Sequence, residues 1–584
     1  LKKMKKWTCI GFWILSLVKF AGAQEQLSTR QQAENLYRRY DYFTSARLYQ
    51  KLVKKTKNDV NILERIADCY RLINQYEEAE KWYALTVADP KASAAAHYHY
   101  AEILLRGQKF DLAKQQYELC FKSNSPSLTR KLATCDSAAL WMKTSSNYTV
   151  SDHLSFNTNF SDWGLTYEGK TGLVFTSDRI NDENDLDYRT GNNWFKLYEG
   201  DINSERISQF DVVDARGHSY NNYYHFGPIA FNNAADTAYI TVTTGRPALL
   251  LPVDSDSERG HNLYTRRLQL LMARKKDNQW IAIGNFPYDD VNHYSLGDAT
   301  LSKDGRIIYF TSDMPGGLGK TDIWYCEKKA GGGWDTPVNC GKTINTAEED
   351  EFPTIGGDGA LYYASKGLPG MGGYDIYRAK GGKAEWTTPE NLKYPLNSTS
   401  DDFYLETRDG LTGYICSNRE GGKGSDDIYS FTLVPKKPSQ PAKPNAQADT
   451  PKTKPSQPIR FEKGFILTTI YYDLDKSDIR QDAILEMDKL VLLLNQHPTL
   501  TIELSSYTDS RASDQYNIAL SQRRAAAAVN YLVKNGISAS RLVSKYFGET
   551  HLVNQCADGV NCTEQEHQLN RRTEFKVISG GDGR

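Results

Sequence analysis

Asp509, Asn517 and Arg524 put a carboxylate, an amide and a guanidinium within one short stretch of this chain. Asn517 and Arg524 are seven residues apart, two helical turns, so in a helix they project from one face with Leu520 and Ser521 between them. Asp509 belongs to a Thr508-Asp509 step in the segment leading into that helix. Taken alone, such an Asp and Arg make a structural ion pair more often than a ligand site.

Other candidates dissolve on closer reading. Gly316-Gly317-Leu318-Gly319-Lys320-Thr321 ends like a phosphate-binding loop, but Met314 stands where that motif requires its first glycine. Gly-rich loops at 369–373 and 420–424 lack Gly-Lys-Thr, so a shared hairpin connection accounts for all three. His97 and His99 have no further ligands at metal-binding spacing, and 181–187 lacks the glycine and terminal Glu of an EF-hand loop. No nucleophile elbow or His-Glu-x-x-His occurs. The sequence therefore predicts a protein that is not an enzyme and uses no cofactor or metal.

The elements that must position Asp509 and Arg524 lie in residues 460–578, where strand-like runs (465–472, 499–505, 543–547, 573–578) alternate with helical ones (479–496, 513–535). That is an α/β sandwich pattern. Upstream, residues 28–143 repeat with a 34-residue period: Ala33/Ala67/Ala101, Leu36/Tyr70/Leu104, Tyr42/Tyr76/Phe110, Ser45/Ala79/Ala113 and Tyr49/Tyr83/Tyr117. From 148 to 433 the pattern becomes short aromatic strands punctuated by Asp-Gly, with Ser312/Ser365/Ser417 and Asp322/Asp375/Asp427 offset by 53 and 52 residues. Five such units are visible, each long enough for four strands. Between 434 and 459 seven prolines make a semi-rigid extended linker, which at about 3.1 Å per residue reaches on the order of 70 Å.

At 584 residues and a formal charge of −1, the chain calls for several cores and has no overall field that would steer it to nucleic acid. Lysines 2, 3, 5 and 6, an apolar run over 7–20 and Ala21-Gly22-Ala23 are expected to form a signal peptide over 1–23. Gln24 rather than Cys follows it, so no lipid anchor is expected. No later stretch approaches the ~20 apolar residues of a membrane span, so none is expected in the mature chain. Export permits disulfides, and Cys556 with Cys562 is the favoured pair because the short loop between them holds a turn-forming Asp-Gly.

Several resemblances follow from these residues. The 34-residue repeat resembles the tetratricopeptide (TPR) family, which implies a stacked solenoid with a concave protein-binding groove. The 148–433 repeat, with Ser177-Asp178-Arg179 and later Asp-Ile-Trp or Asp-Ile-Tyr steps, resembles the WD40-like PD40 repeat of TolB-like proteins. Residues 460–578 resemble the OmpA-like C-terminal, peptidoglycan-binding family through Tyr472-Asp473-Leu474-Asp475-Lys476, Tyr507-Thr508-Asp509, the 517–525 segment, Gly548-Glu549 and 570–575. The predicted fold class is thus multidomain. It joins an α-helical TPR solenoid, an all-β propeller with five blades favoured over six, and an α/β sandwich OmpA-like domain.

In the OmpA-like family an Asp and an Arg corresponding to Asp509 and Arg524 clamp the free amino-acid end of diaminopimelate in the peptidoglycan stem peptide. The chemistry suits a zwitterion, because a carboxylate answers its ammonium and a flat guanidinium fork holds its carboxylate. The resemblance implies supporting contacts from Thr508, Asn517 and Arg572, with Asp473 at the rim. Ser506-Tyr507 replaces the family's usual Gly-His, so Ser506 is expected to need a backbone shape easier for glycine, and Tyr507 to alter the cleft. The three-part architecture also resembles PorE-like proteins of the Bacteroidetes type IX secretion system. It implies a periplasmic tether, associated with outer membrane and cell wall, whose repeats engage envelope proteins. The rival class is a propeller-based hydrolase acting on peptidoglycan or peptides.

Overall fold

The structure, a computed structural model, describes residues 27–579 except 56–58, 180–185, 245–253, 257–260, 435–465 and a few single or paired positions. The leader expected over 1–23 and, but for Val434, the Pro-rich segment lie outside the described residues.

Seven helices open the described chain: α1 (Thr29–Arg38), α2 (Tyr42–Val53), α3 (Val60–Leu72), α4 (Tyr76–Val87), α5 (Ala94–Arg106), α6 (Phe110–Cys120) and α7 (Pro126–Thr144). The first six form three hairpins, and the small residues of the repeat sit where paired helices meet: Ala33, Ala67, Ala101, Ser45, Ala79 and Ala113 are fully buried. Each hairpin also satisfies its one buried phenol in the same way. Tyr49 donates to Glu34 and Tyr83 to Asp68, both at 2.5 Å, and Tyr117 donates to Glu102. Tyr40, Asn74 and Gln108 take left-handed φ values of 63°, 59° and 58° in the tight link inside each hairpin.

Among the described residues, 148–433 form five large sheets, four of them four-stranded and antiparallel throughout, the second five-stranded, with two further two-stranded ribbons, 254–256 with 261–263 and 381–382 with 385–386. Their first strands are Asp162–Glu168, Tyr223–Phe231, Leu296–Leu301, Asp350–Ile355 and Asp402–Thr407. Each lies beside the first strand of the next sheet, and the fifth lies beside the first, so the sheets close into a ring. The earliest strand, Tyr148–His153, pairs with the last, Asp427–Leu433, which joins the two ends of the ring in one sheet. The outer edges that remain are short, as at Ser208–Gln209 and Val338–Asn339.

The Gly-rich loops hold this ring together. Asp322 accepts hydrogen bonds from the Leu318 and Gly319 amides, Asp375 from Met371 and Gly372, and Asp427 from Gly424. A side chain at Gly319, Gly372 or Gly424 would run into the backbone carbonyl of Thr346, Ser400 or Phe160 in the neighbouring sheet's loop. The glycines are there because the next sheet passes too close for a Cβ. The amides of the phosphate-loop look-alike are therefore turned onto Asp322.

The C-terminal domain has strands Ile466–Tyr471, Thr501–Ser506, Leu542–Tyr546 and Arg572–Ser579, in sheet order first, fourth, second, third. Its helices are α8 (Gln481–Gln496), α9 (Asp514–Lys534) and α10 (Glu564–Asn570). α9 is the crossover between the parallel strands Thr501–Ser506 and Leu542–Tyr546. Leu490, Leu494, Ile502, Leu504, Leu532 and Phe575 form its apolar core. α10 was not expected; its start is set by a capping box in which Thr563 and Glu566 satisfy each other's amides. Cys556 and Cys562 form a disulfide, while Cys69, Cys120, Cys135, Cys326, Cys340 and Cys416 are free thiols. Among the described residues no helix is long and apolar enough to cross a membrane.

Candidate functional site

Thr508-Asp509 follows the strand Thr501–Ser506, and the segment after it enters α9, whose start is capped by Ser513. Asp509 is therefore fixed at the end of a central strand. Its carboxylate is nearly buried and does not pair with Arg524. Oδ2 accepts from Arg571 Nη1 at 2.9 Å and from Arg511 Nη2 and Nε at 2.6 and 3.0 Å. Burial pushes its pKa up, but these hydrogen bonds and charges outweigh burial and hold it below the usual carboxylate range. Arg571 also donates to Glu564 of α10 at 2.7 Å and to the Tyr472 carbonyl at 3.2 Å.

Arg524 lies on the buried face of α9 with none of its surface exposed. Its three nitrogens donate to backbone carbonyls: Nε to Lys476 at 2.8 Å, Nη1 to Tyr507 at 2.9 Å and Nη2 to Asp473 at 3.1 Å. Its guanidinium also lies over the Tyr472 ring at 4.9 Å. Burial pushes its pKa down to about 10, so it remains charged at neutral pH. Asp509 and Arg524 thus approach the Tyr472-Asp473 backbone from two directions, one through Arg571 and the other directly.

Of the supporting residues, Asn517 donates to the Ala512 carbonyl at 3.0 Å and to Glu549 at 2.6 Å. Thr508 has a buried hydroxyl with no partner among the described residues. Asp473 is half exposed, in ion pairs with Arg480 at 3.4 Å and Lys476 at 3.9 Å. Arg572 points away from Asp509, donating to Glu574 at 2.8 Å and lying over Tyr507. It is Arg571, the residue that caps the end of α10 just before the strand begins, that reaches the Asp509 carboxylate.

Ser506 and Tyr507 differ from expectation. Ser506 ends a regular strand without a left-handed φ, and its hydroxyl bonds Thr573 at 2.6 Å. Tyr507 is packed flat on Phe547, with ring centroids 5.3 Å apart. Arg511, Glu564 and Arg571 were missed as partners of Asp509. The capping box at 563–566 was the signal for α10, whereas Arg571 sits in the turn between α10 and the strand, where no periodicity separates it from Arg572.

Residues 471–565 match the model of the OmpA family. This part of the chain is an OmpA-family domain. Over 112 residues it is 38% identical to a peptidoglycan-associated lipoprotein of Mesorhizobium japonicum, a match covering 19% of this chain and 64% of that protein. It is 36% identical over 108 residues to outer membrane porin F of Pseudomonas fluorescens, covering 18% of this chain and 32% of the porin. Among solved structures, the peptidoglycan-associated lipoprotein from Burkholderia pseudomallei is 24% identical, with 19% of this chain and 88% of that chain covered and a TM-score of 0.17. The chain thus spans less than two thirds of the curated relatives it matches.

A cavity of about 580 Å³ lies outside the OmpA-family domain, between α3, α5, α7 and the ring loops. Three of its five carboxylates are answered by neighbouring cations, Glu102 by Lys131 at 2.7 Å, Glu348 by Arg130 at 3.2 Å and Glu349 by Lys320 at 3.0 Å, while Asp375 and Asp401 accept from amides.

Proposed function

We propose that this protein is a non-catalytic periplasmic tether that grips peptidoglycan through its OmpA-family domain, at the diaminopimelate end of the stem peptide. The observation that carries this reading is the polar cluster around Asp509 and Arg524, set in a domain akin to peptidoglycan-associated lipoproteins. Asp509 supplies the carboxylate for the ligand's ammonium: both arginines bind its Oδ2, and Oδ1 accepts no hydrogen bond among the described residues. Arg524 is the proposed partner of the ligand's carboxylate, with Thr508 and Asn517 as polar support and Asp473 at the rim; because its fork is buried against the Tyr507 and Asp473 carbonyls, binding requires it to exchange those bonds for the ligand's.

On this reading the helical hairpins are TPR units and the five-sheet ring is a PD40-type propeller. Together they present surfaces to envelope proteins near the outer membrane. The resemblance to PorE-like proteins makes the type IX secretion apparatus the first partner to test.

Sedimentation of the full chain with purified sacculi tests the wall-binding role. Wild type should pellet, and Asp509→Asn should pellet at least tenfold more weakly with its fold intact. Wild type remaining in the supernatant would sink the reading.

A further inference from the structure

One buried carboxylate of the OmpA-family domain gathers hydrogen bonds from the rest of the chain. Asp488, on α8, is 8% exposed and accepts three hydrogen bonds from three parts of the molecule. Tyr531 of α9, in its own domain, donates to Oδ1 at 2.6 Å. Lys393, in the fourth sheet's connection to the fifth, donates to Oδ2 at 2.6 Å, and the indole Nε1 of Trp141 on α7 donates to the same oxygen at 2.8 Å. Lys393 Nζ also lies 5.2 Å from the Trp141 ring centroid, so the cation is held between an indole face and the carboxylate. Trp141 itself is buried in a cluster with Met371 and Tyr394 of the ring.

We infer that Asp488 is a latch that docks the wall-binding domain against α7 and the ring in a fixed orientation. A buried ion pair adds little net stability against its desolvation, yet it is intolerant of losing one member, which makes it a device for specific docking more than for tight docking. Around it the interface is sparse: an exposed Lys534–Glu390 pair at 3.1 Å is the one further ion pair between the domain and the ring among the described residues. A domain attached by a long Pro-rich segment and by one polar hub can be held or released without any change to its core.

The latch also sets which end faces outward. Tyr531 and Lys534 lie in the last turns of α9, whereas Asn517 lies in its first turns, fourteen residues or about 21 Å away along the axis. Docking therefore uses the end of α9 opposite the one that Asp509 leads into, with Arg524 between them, seven residues or about 10.5 Å before Tyr531. This part rests on the wall-binding reading; the docking itself does not.

Zero-length carbodiimide coupling of the full-length chain, read by mass spectrometry, tests the latch through the Lys534–Glu390 pair. Wild type should yield the cross-linked peptide, and Asp488→Asn and Lys393→Met should each lower its yield at least tenfold. Sedimentation with sacculi should stay at the wild-type level in both variants. Lys393→Met lies in the ring and leaves the sequence of the OmpA-family domain untouched, which separates undocking from misfolding of that domain. Absence of the cross-link in wild type, or equal yields in all three proteins, overturns the proposal. Failure of wild type to sediment would overturn only the wall-binding reading.

Discussion

Buried carboxylates occur in both the sheet ring and the OmpA-family domain, but they are answered by different partners. In the ring, Asp322, Asp375 and Asp427 recur at matched positions and accept backbone amides of the Gly-rich loops. In the OmpA-family domain, Asp509 occurs once and is met by two arginine side chains. A carboxylate repeated in three successive sheets and spent on its own loop is architecture. One that is not repeated and is held by two arginine side chains is, on the proposed reading, where a ligand can exchange places with a protein group.

The sharpest way to break this contrast is to remove Arg571. Arg571→Ala leaves Asp509 and Glu564 with Arg511 alone and should destabilise the OmpA-family domain by about 3 kcal/mol, read by urea unfolding. Arg571→Lys should recover only part of that loss, because an ammonium cannot reproduce the fork.

Next, Gly424→Ala should destabilise the ring by about 1–3 kcal/mol, since its Cβ has no room against Phe160. Gly331→Ala, with open space around it, should stay within about 0.5 kcal/mol.

The two regions should also respond oppositely to pH. Burial pushes Asp298, Asp375 and Glu406 up to about 8, so the folded ring binds protons that the unfolded chain has lost above its ordinary carboxylate range. Ring stability should therefore fall as pH rises from about 4 to 8. Asp509 is held low, so its contribution is present above the ordinary Asp value of 3.8 and is lost as pH falls below it. All ten tryptophans lie outside residues 460–584, so urea midpoints followed by indole fluorescence report the other parts of the chain. Amide exchange in Thr501–Ser506 reports the OmpA-family domain.

The smallest effect is expected at Ser506→Ala, which removes one neutral hydrogen bond to Thr573 and should cost about 1 kcal/mol. A larger loss would make Ser506 part of the polar site.

Periodicity made much of the helical and ring regions legible: the alanines, serine and tyrosines of the hairpins stand out at one interval. Their acidic partners, Glu34, Asp68 and Glu102, share that interval but escape notice because Asp alternates with Glu. In the OmpA-family domain the motif located Asp509, Arg524 and Asn517, while the partners did not follow from spacing. Arg571 adjoins Arg572, and only the turn from α10 into the strand decides which one faces the carboxylate. Asp488 gave no signal at all, because its partners are 95 and 347 residues away in sequence.

The shared sheet at the ring's closure has a mechanical meaning. Asp427–Leu433, from which the chain leaves toward the OmpA-family domain, is flanked on one side by Tyr148–His153 and on the other by Thr412–Ser417. If the proposed wall attachment holds, tension along the chain loads this interior strand lengthwise, so two hydrogen-bonded ladders must shear together before the ring gives way.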